Sequence, residues 1–240
     1  MFECPKEDEE AKEANYTIFN ESGDQKEFNI ELCGHNLVID QDPSQQHSHG
    51  FIVWESAVIV TKYLETDPKN FRERDLRDKK VLELGSGTGL AGLSFLLRKA
   101  CVTFTDTADV IQLTTQNAFK TYNKVKRMGS YHEPIVQVLD WTAPEAEQNI
   151  VLQEKPYDYV LLTDCVFSEL LAKPLVATIL RACSKSTIVL CCHEIRDEDA
   201  NNAFITEFSN FFKIKKISPK QLDKKYRNEM CEVFTGKLAR

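Results

Sequence analysis

The sequence predicts an α/β protein built on a doubly wound, mostly parallel seven-stranded sheet, with a short β-hairpin ahead of it. Three observations carry that expectation. From Lys80 onward short apolar runs alternate with longer helical patterns, the first run leads straight into a glycine-rich turn, and the last two runs have no helical pattern between them. Strands alternating with helices imply a parallel sheet covered on both faces. Two final strands without a crossover helix imply an antiparallel pair at one edge.

Residues 1–26 begin with a Glu- and Lys-rich stretch that has no apolar run, so they are expected to form a flexible extension. Neither a secretory signal nor a membrane span is legible there. Residues 27–240 are read as one domain. Residues 27–33 and 37–40 read as strands around Gly34-His35-Asn36, a hairpin, and residues 42–50 as a loop. Residues 53–64 then place Trp54, Ala57, Val58, Val60, Tyr63 and Leu64 at helical spacing, with Pro68 just beyond. Strands follow at residues 81–84, 102–105, 135–139, 159–162, 187–191, 214–217 and 232–235. Helical patterns fall at 90–99, 109–122, 170–182 and 199–211, the third with Ser168 as its expected N-cap, and the stretch between the third and fourth sheet strands reads mostly as loop.

The turn Glu83-Leu84-Gly85-Ser86-Gly87-Thr88-Gly89 is the most informative segment. In a doubly wound sheet, ligands bind outside the carboxyl ends of the strands near the switch point. Glycines there let the backbone turn sharply and bring amide groups at a helix N-terminus close to a ligand. A dinucleotide fingerprint GxGxxG would need glycine where Leu90 stands, whereas GxGxG after an acidic strand end is the methyltransferase pattern. Glu83 would repel a pyrophosphate but would suit the cationic groups of S-adenosyl-L-methionine. Asp106 ends the next strand, 21 residues after Gly85, where an acid accepts hydrogen bonds from both ribose hydroxyls.

Later strand ends carry two more candidates. Asp140-Trp141 follows the third strand, an aromatic ring to cover an adenine and an acid to meet its amine; an anchor plugging the sheet end is the structural alternative for Trp141. Thr163-Asp164-Cys165-Val166-Phe167 follows the fourth strand, and Asp164 is the residue expected to meet the acceptor.

Composition narrows the classes. With 240 residues, 42% of them hydrophobic and 28% charged, the chain is typical of a globular domain with one sizeable core. Thirty-seven acidic against 30 basic residues give a formal charge of −7, which disfavours nucleic acid and favours a protein or small-molecule acceptor. Eight cysteines without a CxxC pair argue against a disulfide framework or a zinc knuckle and fit reduced thiols in the cytoplasm or nucleus. His47 and His49 have no third ligand in view, so no metal is expected.

These residues resemble the family-16 seven-β-strand protein-lysine methyltransferases, which act on Hsp70-type chaperones, an AAA ATPase and translation elongation factors. The resemblance spans most of the chain: Val53-Trp54-Glu55-Ser56-Ala57 ahead of the first helix, the turn from Glu83 to Gly89, Asp106, Trp141, and Thr163 to Phe167. It implies a class I S-adenosyl-L-methionine-dependent fold in which Trp54, Gly85, Ser86, Gly87, Asp106, Trp141 and Thr163 contact the cofactor. Asp164 opens the acceptor site. The family usually has a tyrosine three residues after this aspartate; here Phe167 offers ring stacking without a hydroxyl. Glu194 and Arg196, after the fifth strand, look like a family element near the acceptor channel, with a surface ion pair beside Asp197 and Glu198 as the alternative. The implied enzyme is a protein-lysine N-methyltransferase, and a monomer is the default expectation for its quaternary state. The competing classes are a methyltransferase for RNA or a small molecule, and a catalytically silent binding module of the same fold.

Overall fold

In the computed structural model, residues 25–45, 49–67 and 71–239 are described. Most of the expected N-terminal extension, His47 and Pro68 lie outside them. The hairpin is present, formed by β1 (Glu27–Leu32) and β2 (His35–Asp40). Its loop has two residues, Cys33 and Gly34, both at positive φ (51° and 76°), the backbone that matches strand twist in a tight hairpin. His35, expected in the turn, therefore pairs with Leu32 as the first residue of β2. Alternation puts Phe28, Ile30 and Leu32 inward, and Leu37 and Ile39 join them in the core.

The main sheet has the order β5-β4-β3-β6-β7-β9-β8. Its strands are β3 (Lys80–Leu84), β4 (Cys101–Asp106), β5 (Ile135–Val138), β6 (Tyr159–Thr163), β7 (Ile188–Glu194), β8 (Phe212–Lys216) and β9 (Cys231–Leu238). All pairings are parallel except those of β9, which runs antiparallel to both β7 and β8. The chain winds outward from β3 to β4 and β5, then crosses back to β6 and β7. The switch point lies between β3 and β6, and their carboxyl ends open the crevice where a ligand is expected.

The helices are α1 (Glu55–Thr66), α2 (Glu73–Leu76), α3 (Leu90–Leu96), α4 (Ile111–Val125), α5 (Glu145–Val151), α6 (Glu169–Ala182) and α7 (Glu198–Ser209). Val81 and Leu161 face a core built with α1, α3, α4 and the hairpin, while Leu82, Leu84, Val160 and Leu162 face a core built with α6 and α7. The period-two alternation of central strands thus supplies both faces. On α4, the buried Asn117 ties the hairpin to the glycine turn: its Oδ1 accepts from the Asp40 amide (2.8 Å), and its Nδ2 donates to the carbonyls of Asp40 and Thr88 (3.0 Å each).

Three elements depart from expectation. The stretch read as loop between the third and fourth sheet strands contains α5 and a 3-10 turn, Leu152–Glu154. Its periodicity is hidden because the inward residue is the polar Gln148, 2% exposed, while Ile150 points outward at 71%. Ser168 occupies the N-cap of α6 but makes no side-chain capping bond, whereas Asp197 caps α7 by accepting from the amides of Asp199 (2.9 Å) and Ala200 (3.1 Å). Finally, β9 runs eight residues rather than the expected four, because it is held on both sides.

Gly236 lies inside β9 where a Cβ would sit 2.5 Å from Phe208 Cζ and 2.7 Å from Cε1. Phe208 is stacked on Phe212 at 4.3 Å, so it has no room to retreat. Gly236→Ala should lower unfolding stability by about 1–3 kcal/mol, as overpacking does. Urea denaturation checks this, and an unchanged midpoint would remove the steric account.

Candidate active site

A cavity of about 310 Å³ opens at the switch point. That is within the ~300–1,000 Å³ of pockets that take a small-molecule ligand. Of the residues expected at the site, Glu83 and Glu194 do not line it, whereas Trp54, Gly85, Ser86, Gly87, Asp106, Asp140, Trp141, Thr163, Asp164, Phe167 and Arg196 do.

The glycine turn forms its floor. Gly85 (φ 60°) and Gly87 (φ 52°) are left-handed, and a Cβ on Gly85 would lie 2.8 Å from Cys165 Sγ and 3.2 Å from Trp141. On Gly87 it would meet the Gly50 carbonyl at 3.1 Å. Both conformation and space therefore demand glycine. Ser86 locks the turn to β4: its amide donates to the Thr105 carbonyl (2.9 Å) and its Oγ accepts from the Thr105 amide (3.1 Å).

Asp106 completes the lock from the end of β4. Its Oδ2 accepts from the Gly87 amide and its Oδ1 from the Thr107 amide, each at 2.7 Å. Burial pushes its carboxyl above the usual range. A carboxylate offers about four lone-pair sites. The two amides take two of them, the Thr107 hydroxyl approaches Oδ1 at 3.3 Å, and Asp106 lines the cavity.

Glu83 departs from the sequence expectation. Its side chain has no exposure, points under α3, and accepts the Gly92 amide at Oε1 (2.9 Å), while Oε2 is buried without a hydrogen-bond partner. Burial raises its pKa to about 8, so it is largely protonated at neutral pH. It braces the start of α3 as a neutral acid and offers no charge to a cationic ligand. The parity of β3 explains the misreading, since Glu83 shares the face of Val81 rather than the open strand end.

Trp141 closes one wall and is positioned from α5. Gln148 Nε2 donates to the carbonyls of Trp141 (2.9 Å) and Ala143 (2.7 Å), while its Oε1 accepts from Thr178 Oγ1 on α6 (2.8 Å). Asp140 folds the loop locally, its Oδ1 accepting from the amide (2.8 Å) and hydroxyl (2.7 Å) of Thr142.

The opposite wall carries the charges. Asp164 sits in a left-handed conformation (φ 59°), its amide donating to the Cys192 carbonyl at 2.9 Å. The side chain is 4% exposed. Oδ1 accepts from the Glu194 amide (3.2 Å) and Oδ2 from Arg196 (2.8 Å). Arg196 also meets Glu194 Oε2 at 2.6 Å and lies 4.4 Å over the Trp54 ring. The part-exposed Glu194–Arg196 ion pair of the alternative reading is thus present, and the same guanidinium also reaches the buried Asp164. Trp54 donates from Nε1 to the His49 carbonyl (2.5 Å), and Phe167, 45% exposed, stacks on the His49 ring at 5.7 Å.

Sequence reasoning missed the 3-10 turn His49–Phe51, whose residues His49 and Gly50 join the lining, because a polar loop carries no periodicity to place it. Cys165, beside Asp164, is a packing residue: its thiol donates to the Leu84 carbonyl (3.1 Å), and burial pushes its pKa well up, away from the thiolate.

The model of a family described as lysine methyltransferase matches residues 32–211. The protein-lysine methyltransferase METTL21E of Bos taurus is 30% identical over 188 residues, 78% of this chain and 60% of that protein. The protein N-lysine methyltransferase METTL21A of Danio rerio is 29% identical over 186 residues, 78% of each. The chain thus spans less than two thirds of the bovine relative. Among solved structures, a predicted O-methyltransferase from Agrobacterium tumefaciens superposes with a TM-score of 0.54 at 15% identity, covering 77% of this chain and 81% of that one. At that identity the likeness shows the fold.

The neutral Glu83 makes stability pH-dependent. In the unfolded chain its carboxyl ionises near its ordinary 4.5, whereas the folded protein holds the proton until about pH 8. Stability from this group is therefore full below pH 4.5 and falls as pH rises to about 8. Glu83→Gln should abolish that decline, so the variant gains on the wild type progressively across the interval. Thermal unfolding from pH 5 to 8.5 checks this; parallel curves for the two proteins would refute a buried neutral acid.

Proposed function

The chain belongs to the lysine methyltransferase family whose model spans residues 32–211, and from that membership we propose that it is an S-adenosyl-L-methionine-dependent protein-lysine N-methyltransferase. The observation that carries this reading is that one cavity joins the Gly85–Gly87 turn and Asp106 to a wall formed by Asp164, Phe167 and Arg196, with Glu194 paired to Arg196 behind it.

The residues present fit the cofactor. The two left-handed glycines bring bare backbone to the floor of the cavity. Asp106 keeps lone pairs for the ribose hydroxyls, Trp141 and Asp140 stand where an adenine would rest, and Thr163 and Trp54 line the side toward the acceptor. S-adenosyl-L-methionine supplies an activated methyl group on a sulfonium, which passes to the attacking amine as its C–S bond breaks. Transfer of this kind needs alignment more than chemistry from the protein. The chain's tasks are to orient the amine, exclude water and let a proton go. A lysine amine at neutral pH must shed its proton at a cost of roughly 4–5 kcal/mol, and burial beside cationic groups lowers that cost. Phe167 presents a ring to the aliphatic stem of a lysine, and the carboxylates of Asp164 and Glu194 draw its ammonium in before the proton leaves to water.

The alternative of RNA-base methylation has less support, because Asp164-Cys165-Val166-Phe167 lacks the paired prolines that present a planar amine and the chain carries a formal charge of −7. The proposed acceptor is a protein, with chaperones, AAA ATPases and elongation factors as the groups the family resemblance implies. A monomer acting in the cytoplasm or nucleus completes the proposal, supported by cysteines that are free throughout the described residues.

Calorimetry should show S-adenosyl-L-methionine binding and no response to NAD. Asp106→Ala should weaken binding by about 10–150-fold, the loss of charged hydrogen bonds worth ~1.5–3 kcal/mol. Absence of binding by the wild type would defeat the cofactor reading. Tritiated cofactor in lysate should label material that resists nuclease and yields to protease, and Asp164→Asn should cut that label at least about tenfold. Label removed by nuclease would transfer the reading to RNA.

A further inference from the structure

Asp164 is the residue expected to receive the acceptor's ammonium, yet its carboxylate is already taken. Oδ1 is engaged by the Glu194 amide and Oδ2 by Arg196. With the side chain 4% exposed, an amine can reach Oδ2 only by replacing the guanidinium. We propose that Arg196 is an exchangeable counter-ion: it occupies the seat of the acceptor ammonium while the site is empty, and yields Asp164 and Glu194 when a lysine arrives. This rests on the lysine-acceptor reading above.

The surroundings suit exchange. A buried carboxylate stripped of its partner is costly, by several kcal/mol, so Asp164 needs a cation in the empty site and again as the acceptor binds. Swapping one cation for another on the same two carboxylates keeps the local charge constant through binding and spares that step the cost. Arg196 is also free to go. It sits on the short connection between β7 and α7, is 39% exposed, and its second partner Glu194 is 27% exposed. It leans on the open face of Trp54, a shelf suited to any cation. Behind that shelf Glu55 adds a third carboxyl, held by Asn228 (2.7 Å) and within electrostatic reach of Asp164, Glu194 and Arg196.

Exchange also bears on how many methyl groups are added. A primary ammonium offers three N–H donors and loses one with each methyl, whereas the guanidinium keeps five. Arg196 therefore competes better against each successive product. It is a positioning residue that favours release of methylated lysine and limits further rounds.

The test uses the full chain with n-butylammonium chloride and its N-methyl and N,N-dimethyl forms as probes, followed by NMR. In the wild type the Arg196 Nε–H resonance should move toward its solvent-exposed position as n-butylammonium saturates the site. Arg196→Gln should bind n-butylammonium about tenfold tighter or more, and should lose the steep fall in affinity that the wild type shows across the methylated series. Asp164→Asn should abolish binding of all three probes. An unmoved Arg196 signal at saturation overturns the proposal even if the glutamine variant does not fold, and so does equal affinity in wild type and Arg196→Gln. The probes need no methyl transfer, so exchange without any methyltransferase activity would instead sink the proposed function.

Discussion

The bond from the Gly87 amide to the Asp106 carboxylate, 2.7 Å long, is the constraint on which the rest of the site depends. It joins the turn after β3 to the end of β4 at a point where the sheet ladder has run out. With Ser86 bonded to Thr105 one step earlier, it fixes a left-handed stretch of backbone that would otherwise be free to relax. The turn then lies close enough to Gly50, Cys165 and Trp141 that each wall of the cavity is referred to it. A ligand that accepts from the turn and donates to Asp106 would strengthen both ends of one bridge.

Much of this was legible in the sequence, for identifiable reasons. Strand ends in a doubly wound sheet are marked by abrupt changes from apolar to polar residues, and Gly85, Asp106, Trp141 and Asp164 stand at four of them. Glu83 was misjudged because a linear motif does not show which face of a strand a residue takes. Gln148 was invisible because a buried glutamine reads as surface, although it anchors Trp141 to α6 through bonds at both ends of its amide. Arg196 stood out only through family resemblance, since pairing between residues 32 positions apart leaves no local pattern.

The two walls handle charge differently. On the glycine-turn side, carboxyl groups are subdued by burial and by backbone amides, as at Asp106 and Glu83. At the acceptor mouth, Asp164 and Glu194 share one guanidinium. A cavity whose acids are held by backbone amides at one end and by a guanidinium at the other can accommodate cationic groups without gathering bare charge of its own.

The position of β9 has a consequence for the order in which the molecule can assemble. β8 precedes β9 in the chain but has β9 as its partner in the sheet, so it stays undocked until residues 231–238 are available. The same strand holds the acceptor side, because Glu194 pairs with Cys231 and the Ile195 amide donates to the Met230 carbonyl (2.9 Å). On a ribosome, the glycine turn and its bridge to β4 could take shape as soon as β6 emerges, while the loop that carries Arg196 would wait for a strand that begins about 35 residues later. The half around the glycine turn is early, and the half around Arg196 is late.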